Sequence, residues 1–173
     1  MRGRRLTTYF TADLHLGHDK IVRELRGDSY ENAADMDEKI IDSIHTIVLP
    51  GDELWILGDF AWREHAKYRE RLFVKRVNLI RGNHDPSLGR CSEIFSEAHD
   101  VLIGRRFGGK RLTLCHWPWE SWPGKVHLHG HRHHEDEHYG TEPKTGRVNV
   151  CWDLWYRPLP LDEVLELAQC SND

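Results

Sequence analysis

Short apolar runs recur along this chain: Leu6 to Ala12, Leu54 to Leu57, Val77 to Ile80, Leu112 to Leu114 and Val126 to Leu128. Each has the length of a buried strand. Between the first two, Met36, Ile40, Ile44 and Ile47 return at helical spacing. That stripe predicts a core-facing helix over roughly Asp35 to Val48, opened by an Asp35-x-x-Glu38 capping box and stopped by Pro50-Gly51-Asp52. A more charged helix is predicted over Glu64–Lys75, and Pro86 opens another. The stretch holding Arg23, Arg26 and Gly27-Asp28 reads as a polar loop. From His99 the texture becomes β-rich, with Gly108-Gly109 signalling a hairpin between Arg105-Phe107 and Leu112–Leu114. Val148–Val150 adds a strand, and Leu161–Ala168 closes as a short amphipathic helix. Helix–strand alternation followed by a β-rich half predicts an α/β fold of two sheets packed face to face with helices outside, in one domain over residues 1–173.

A polar motif follows each of the five runs. In order they are Asp13-x-His15, Gly58-Asp59, Gly82-Asn83-His84-Asp85, Cys115-His116-Trp117 and Gly130-His131-Arg132-His133. The polar side chains thus sit where strands end and loops begin, the usual place for a site in α/β sheets. Asp13, Asp59, Asn83 and the imidazoles form an N/O donor set large enough for two divalent ions. On an extended backbone residues i and i+2 point the same way, so Asp13 and His15 can meet one ion, and His131 and His133 repeat the spacing. Alone, each motif has an ordinary structural explanation: a turn aspartate, a polar helix cap, a surface histidine run that His134 and His138 would extend. Their order and shared placement after strands are what point to a metal centre.

Composition narrows the picture. The chain has 173 residues with net charge −4, so it lacks the basic footprint of a dedicated nucleic-acid binder. No run approaches the length of a membrane span. Arg2, Arg4 and Arg5 imitate the start of an export signal, but Asp13 and His15 follow too soon, which predicts a first strand and a cytoplasmic protein. Cys91, Cys115, Cys151 and Cys170 have no CxxC spacing and read as reduced, mostly buried thiols. Thirteen histidines, seven of them between His116 and His138, strengthen the metal reading only because the motifs are ordered.

The motif series resembles that of the calcineurin-like metallophosphoesterases: DxH, GD, GNH(D/E), H and GHxH in that order. The likeness runs over nearly the whole chain. Phe10-Thr11-x-Asp13-Leu14-His15-Leu16-Gly17-His18 and Asn149-Val150-x-x-Asp153-Leu154-Trp155 resemble the ends of small single-domain bacterial and phage members. The resemblance implies a four-layer αββα sandwich. It also implies one metal on Asp13, His15, Asp59 and His133, and a second on Asp59, Asn83, His116 and His131. Asp59 and a hydroxide would bridge them, and His84 would be the outer histidine that contacts the phosphate or protonates the leaving group. A thiolate-free set with one carboxamide favours Mn²⁺ or Fe, with Zn²⁺, Ni²⁺ and Co²⁺ left open.

Charge counting reaches the same chemistry from another side. Two divalent ions less Asp13, Asp59 and hydroxide leave one positive charge, which attracts a phosphate ester. Metal-activated water would then attack phosphorus in line. Arg63, Arg26 and Arg23 are candidate phosphate clamps, and His18 is a further candidate contact. Trp117, with Trp62, Trp119 and Trp122, either stacks on a nucleobase or packs on the sandwich rim. Two departures stand out. Trp62 replaces the aspartate that orients the outer histidine in protein phosphatases, and Cys151 stands where glycine is expected. The first disfavours a protein phosphatase. The leading expectation is therefore a phosphodiesterase on small, nucleotide-like or cyclic phosphates. A phosphomonoesterase and a nuclease or RNA-end-processing enzyme are the alternatives. A non-catalytic metal-binding scaffold is disfavoured because every ligand position is filled. The expected partner is a small phosphate ester, with no stable nucleic-acid complex; the sequence leaves oligomeric state open.

Overall fold

The structure, a computed structural model, describes residues 6–133 and 146–169. Arg2, Arg4, Arg5, His134, His138 and Cys170 lie outside the described residues. The runs that looked like strands are strands. β1 (Thr8–Thr11), β2 (Glu53–Leu57), β3 (Arg76–Ile80) and β4 (Glu97–His99) pair in parallel, and β9 (Leu159–Pro160) joins β1 antiparallel. They form a sheet in the order β4-β3-β2-β1-β9. The second sheet, β5-β6-β7-β8, comprises β5 (Val101–Phe107), β6 (Lys110–Cys115), β7 (Val126–His129) and β8 (Arg147–Asn149). The Gly108-Gly109 hairpin joins β5 to β6, as expected.

Phe10, Trp55 and Leu57 from the first sheet meet Leu112, Leu114, Leu128 and Val148 from the second in one buried cluster. The opposite face of the first sheet, carrying Leu54, Ile56, Val77 and Leu79, packs against Met36, Ile40 and Ile44. Those three lie on α2 (Ala33–Ile47) and are fully buried. Truncating Ile40 or Ile44 to alanine removes buried methylenes at a cost of about 2–5 kcal/mol. The sheets are thus flanked by helices, with α6 (Leu161–Gln169) packed on β8, β9 and β1.

Local chemistry moved several boundaries. α2 starts before Asp35 because Asn32 is its N-cap, its side chain accepting from the Asp35 amide at 3.0 Å. Asp35 accepts in turn from the Glu31 amide. The helix expected over 64–75 is the shorter α3 (His65–Arg71), and α4 (Leu88–Ile94) begins after Ser87. The expected polar loop around Arg23 and Arg26 is instead α1 (Asp19–Ile21) running into a π-helical turn, Val22–Arg26. α5 (Trp152–Trp155) and the short strands β4 and β9 were not anticipated. Among the described residues no helix is long and apolar enough to cross a membrane, and Cys91, Cys115 and Cys151 are free buried thiols.

Candidate metal centre

The loops after β1 and β2 run side by side and extend the parallel pairing beyond the sheet. Asp13 N donates to Gly58 O at 3.0 Å, His15 N to Asp59 O at 2.9 Å and Leu16 N to Phe60 O at 3.1 Å. This geometry demands left-handed backbone. Among the described residues, six non-glycine residues have positive φ, and four of them are Asp13 (58°), His15 (52°), Asp59 (55°) and His131 (67°). Such conformations cost about 1–3 kcal/mol each and cluster where function requires them. The expectation that Asp13 and His15 converge through an extended i, i+2 spacing is therefore corrected: they converge because both are left-handed. Two motif glycines make room for side chains from other motifs. A Cβ on Gly58 would lie 2.1 Å from His116 Nδ1, and one on Gly82 would lie 2.2 Å from Asp59 Oδ1.

The donor atoms meet in three overlapping groups, Asp13–His15–His133, Asp13–Asp59–His116 and, behind His133, His133–Cys151–Asp153, each with its ligand atoms within 4.8 Å of one another; the first two face the motif loops. Asp13 belongs to both. Hydrogen bonds behind the rings fix which nitrogens face inward. His116 Nδ1 lies 2.8 Å from Leu57 O, so it carries the proton. His116 Nε2 then faces Asn83 Oδ1 and His131 Nδ1, each at 3.2 Å. His133 Nδ1 is 2.6 Å from Asp153 Oδ2, which leaves its Nε2 for the site. His15 Nε2 is buried without a hydrogen-bond partner and lies 3.6 Å from Asp59 Oδ2. A buried imidazole nitrogen without a partner, beside converging carboxylate oxygens, is costly unless a cation joins them. The set fits divalent ions. Burial pushes His15 well below the usual histidine range and His131 down to about 4, so both stay neutral at pH 7, the ligand form. Burial pushes the Asp59 carboxyl up, and the neighbouring Asp13 carboxylate adds to the shift against the attraction of His116.

Two carboxylates that the motif reading left without a role hold this arrangement. Asp153 is 5% exposed and bonds both His133 and Arg26, whose Nε and Nη2 lie 2.6 and 2.7 Å from it. Burial alone would raise the Asp153 pKa; the bonds from His133 and Arg26 outweigh it and hold the carboxyl well below the usual range. The same bond lifts His133 against the pull of burial. Asp85 clasps the loops after β2 and β3, accepting from Asp59 N, Phe60 N and Gly82 N at 2.8, 3.0 and 2.8 Å. His65 Nε2 sits 3.1 Å from it.

Among the expected substrate contacts, Arg26 is corrected. It is 3% exposed, its guanidinium spent on Asp153 and on the carbonyls of Asp13 and Leu14, so it braces the site from behind. Arg23 and Arg63 are exposed. His18 is half-buried, with Nδ1 3.4 Å from His15 Nδ1, and its ring stacks on Trp62 at 4.3 Å and 3°. Among the described residues, no carboxylate is within hydrogen-bond distance of the His84 ring. Its backbone amide donates to Asp59 Oδ1 at 3.0 Å, its Nε2 lies 4.0 Å from Asp59 Oδ2, and Trp62 packs 5.2 Å away. Trp117 packs on His131 at 4.2 Å and remains 42% exposed.

No family model matches the chain. The Gene 66 protein of Mycobacterium phage L5 is 27% identical over 93% of this chain and 93% of that one. The Gene 66 protein of Mycobacterium phage D29 is 27% identical over 92% and 94%. A crystal structure of a protein of unknown function from Aquifex aeolicus is similar with a TM-score of 0.78 at 24% identity, covering 94% of this chain and 100% of that chain. That likeness establishes a shared fold.

Proposed function

We propose that this protein is a metal-dependent phosphoesterase, and more narrowly a dinuclear phosphodiesterase acting on small, nucleotide-like or cyclic phosphate esters. The observation that carries the reading is the inward convergence of potential metal donors: His15 Nε2, His116 Nε2, Asn83 Oδ1 and the carboxylates of Asp13 and Asp59. The motif order and its resemblance to metallophosphoesterases support the reaction class.

Asp13, His15, Asp59 and His133 would hold one ion, and Asp59, Asn83, His116 and His131 the other. When bound, two such ions supply a water acidic enough to attack near neutral pH and a clamp on the phosphoryl oxygens. The chain's own contribution is position. Asp85 keeps the Asp59 and Gly82 loops in register, and Asp153 fixes the tautomer and angle of His133. His84, one-third exposed beside Asp59, is placed to protonate the departing ester oxygen. Among the described residues its ring hydrogen-bonds no carboxylate, unlike the histidine–aspartate pair of protein phosphatases. The buried Arg26 behind the acceptor cluster is already neutralised by Asp153. A phosphodiester monoanion therefore suits the residual charge better than a monoester dianion.

The test is kcat/KM for bis-p-nitrophenyl phosphate against p-nitrophenyl phosphate with Mn²⁺-loaded protein. Faster diester hydrolysis, abolished by chelation, is expected. A clear monoester preference would overturn the narrower reading. Inactivity on both esters with every transition metal tried would overturn the enzymatic one.

A further inference from the structure

A cavity of about 260 Å³ opens beside Asn83, with Arg81, Asp100, Trp117 and Trp119 in its lining. Its volume is below the range that takes a drug-sized molecule, so it suits one ring system. Trp117 is the wall nearest the acceptor cluster, with its ring centroid 4.2 Å from His131 and 5.0 Å from His116. Those imidazoles meet it at 58° and 76°, so neither lies parallel on the indole. The exposed indole on the other side of the site differs. Trp62 already has one face covered by His18, stacked at 3°. A planar group seeking an indole face to stack on finds it at Trp117.

The rim adds a polar edge. Arg81 Nε donates to Asp100 Oδ1 at 2.7 Å, and the Arg81 amide is tied to His99 O at 2.8 Å. This pair spends one guanidinium nitrogen and one carboxylate oxygen on itself, leaving terminal N–H donors beside a carboxylate acceptor. A stacking plane with a donor–acceptor edge matches a heterocyclic base. An apolar ring would use only the plane, and a sugar or alkyl group would use little of either.

We propose that this cavity binds the nucleobase of one ester arm, which makes a dinucleoside phosphodiester the substrate class. The inference rests on the phosphodiesterase reading above: an arm leaving the phosphorus on the Asn83 side enters this cavity.

The experiment compares a dinucleoside monophosphate with its two counterparts in which one arm or the other is abasic, using Mn²⁺-loaded protein. Removing the base from one particular arm should lower kcat/KM about tenfold or more, the scale of a lost base–aromatic stack. Trp117→Ala should erase that difference. A binding readout runs beside it. A nucleoside monophosphate should quench tryptophan fluorescence in the wild type, less in Trp117→Ala, and ribose 5-phosphate should quench neither. If Trp117→Ala fails to fold or loses metal, Arg81→Gln should still weaken the base preference; an unchanged preference overturns the proposal. Equal hydrolysis of base-bearing and abasic esters overturns the base cavity and leaves the phosphodiesterase standing. If no diester is hydrolysed the phosphodiesterase falls, and base-dependent quenching through Trp117 alone decides the cavity.

Discussion

Around His133 the polar neighbours are buried and charged: Asp13, Asp153 and Arg26 are 0%, 5% and 3% exposed. Around His131 the buried His116 and Asp13 close one side, and the other is open: Asn83 is exposed and Trp117 is 42% exposed, while the His131 amide is held by Asp13 at 2.9 Å. The first half is held by a chain of charges that runs from His133 through Asp153 and Arg26 to the carbonyls of Asp13 and Leu14. The second leaves space for a molecule to approach. On the proposed reading the halves would do separate work: one fixes ligand angles, and the other admits the substrate. It also predicts unequal metal affinity, with the His133 half binding first and tighter.

In the proposed ligand set Asp59 serves both halves, so its loss should erase the contrast. Asp59→Asn is expected to lose at least one ion and nearly all turnover, measured by metal analysis and hydrolysis of a diester. Retention of both ions with full activity would remove Asp59 from the bridging role.

His84 sits at the mouth of the braced half without belonging to its ligand set. His84→Ala should keep the metal content and lose about 10²–10⁴-fold in rate. The loss should shrink for esters whose leaving groups need no proton. A metal-free variant would make His84 a ligand and redraw the first half.

The contrast is sharpest at Asp153. Asp153→Asn should weaken the tighter metal position about 10–100-fold while leaving the weaker one close to wild type. Isothermal titration with Mn²⁺ would resolve the two. Equal weakening of both would show that the brace serves the whole site. The same change strands a buried Arg26, so the variant should also lose about 3–5 kcal/mol of stability. Its titration therefore belongs well below the melting temperature.

The five ligand motifs were legible because each is local and each follows an apolar run. Strand identity, the Gly108-Gly109 hairpin and the helix carrying Met36, Ile40 and Ile44 were legible for the same reason. What holds the motifs together was not. Arg26 and Asp153 are 127 residues apart, and no spacing rule connects them. Arg26 therefore looked like a surface clamp when it is an interior brace. Asp85 read as part of a motif, yet its carboxylate works on amides 25 and 26 residues away. The left-handed backbone of Asp13 and His15 was hidden because neither is glycine. The reason they are bent lies in the neighbouring loop.

The smallest effect concerns the strand that leads into the open half. β7 carries His127 and His129, both fully buried, stacked with centroids 5.5 Å apart. Burial pushes His127 down to about 4 and His129 to about 3, well under the ~6.5 of an unfolded chain. In the unfolded state these rings take up protons as pH falls through about 6.5, while the folded state resists until much lower pH. Their contribution to stability is therefore complete above that pH and declines as pH falls through the folded values. Between pH 6.5 and 5, above the usual carboxylate range, the unfolding free energy of metal-free protein should drop by on the order of 1–2 kcal/mol per histidine, and its melting temperature with it. Neutral ligand histidines add to the same slope, so the discriminating measurement is the slope in His127→Gln. It should be shallower than wild type by about one histidine's share. An unchanged slope would mean that β7 is not where acid first loosens the fold, and the weaker support assigned to the His131 half would have to come from its exposed neighbours alone.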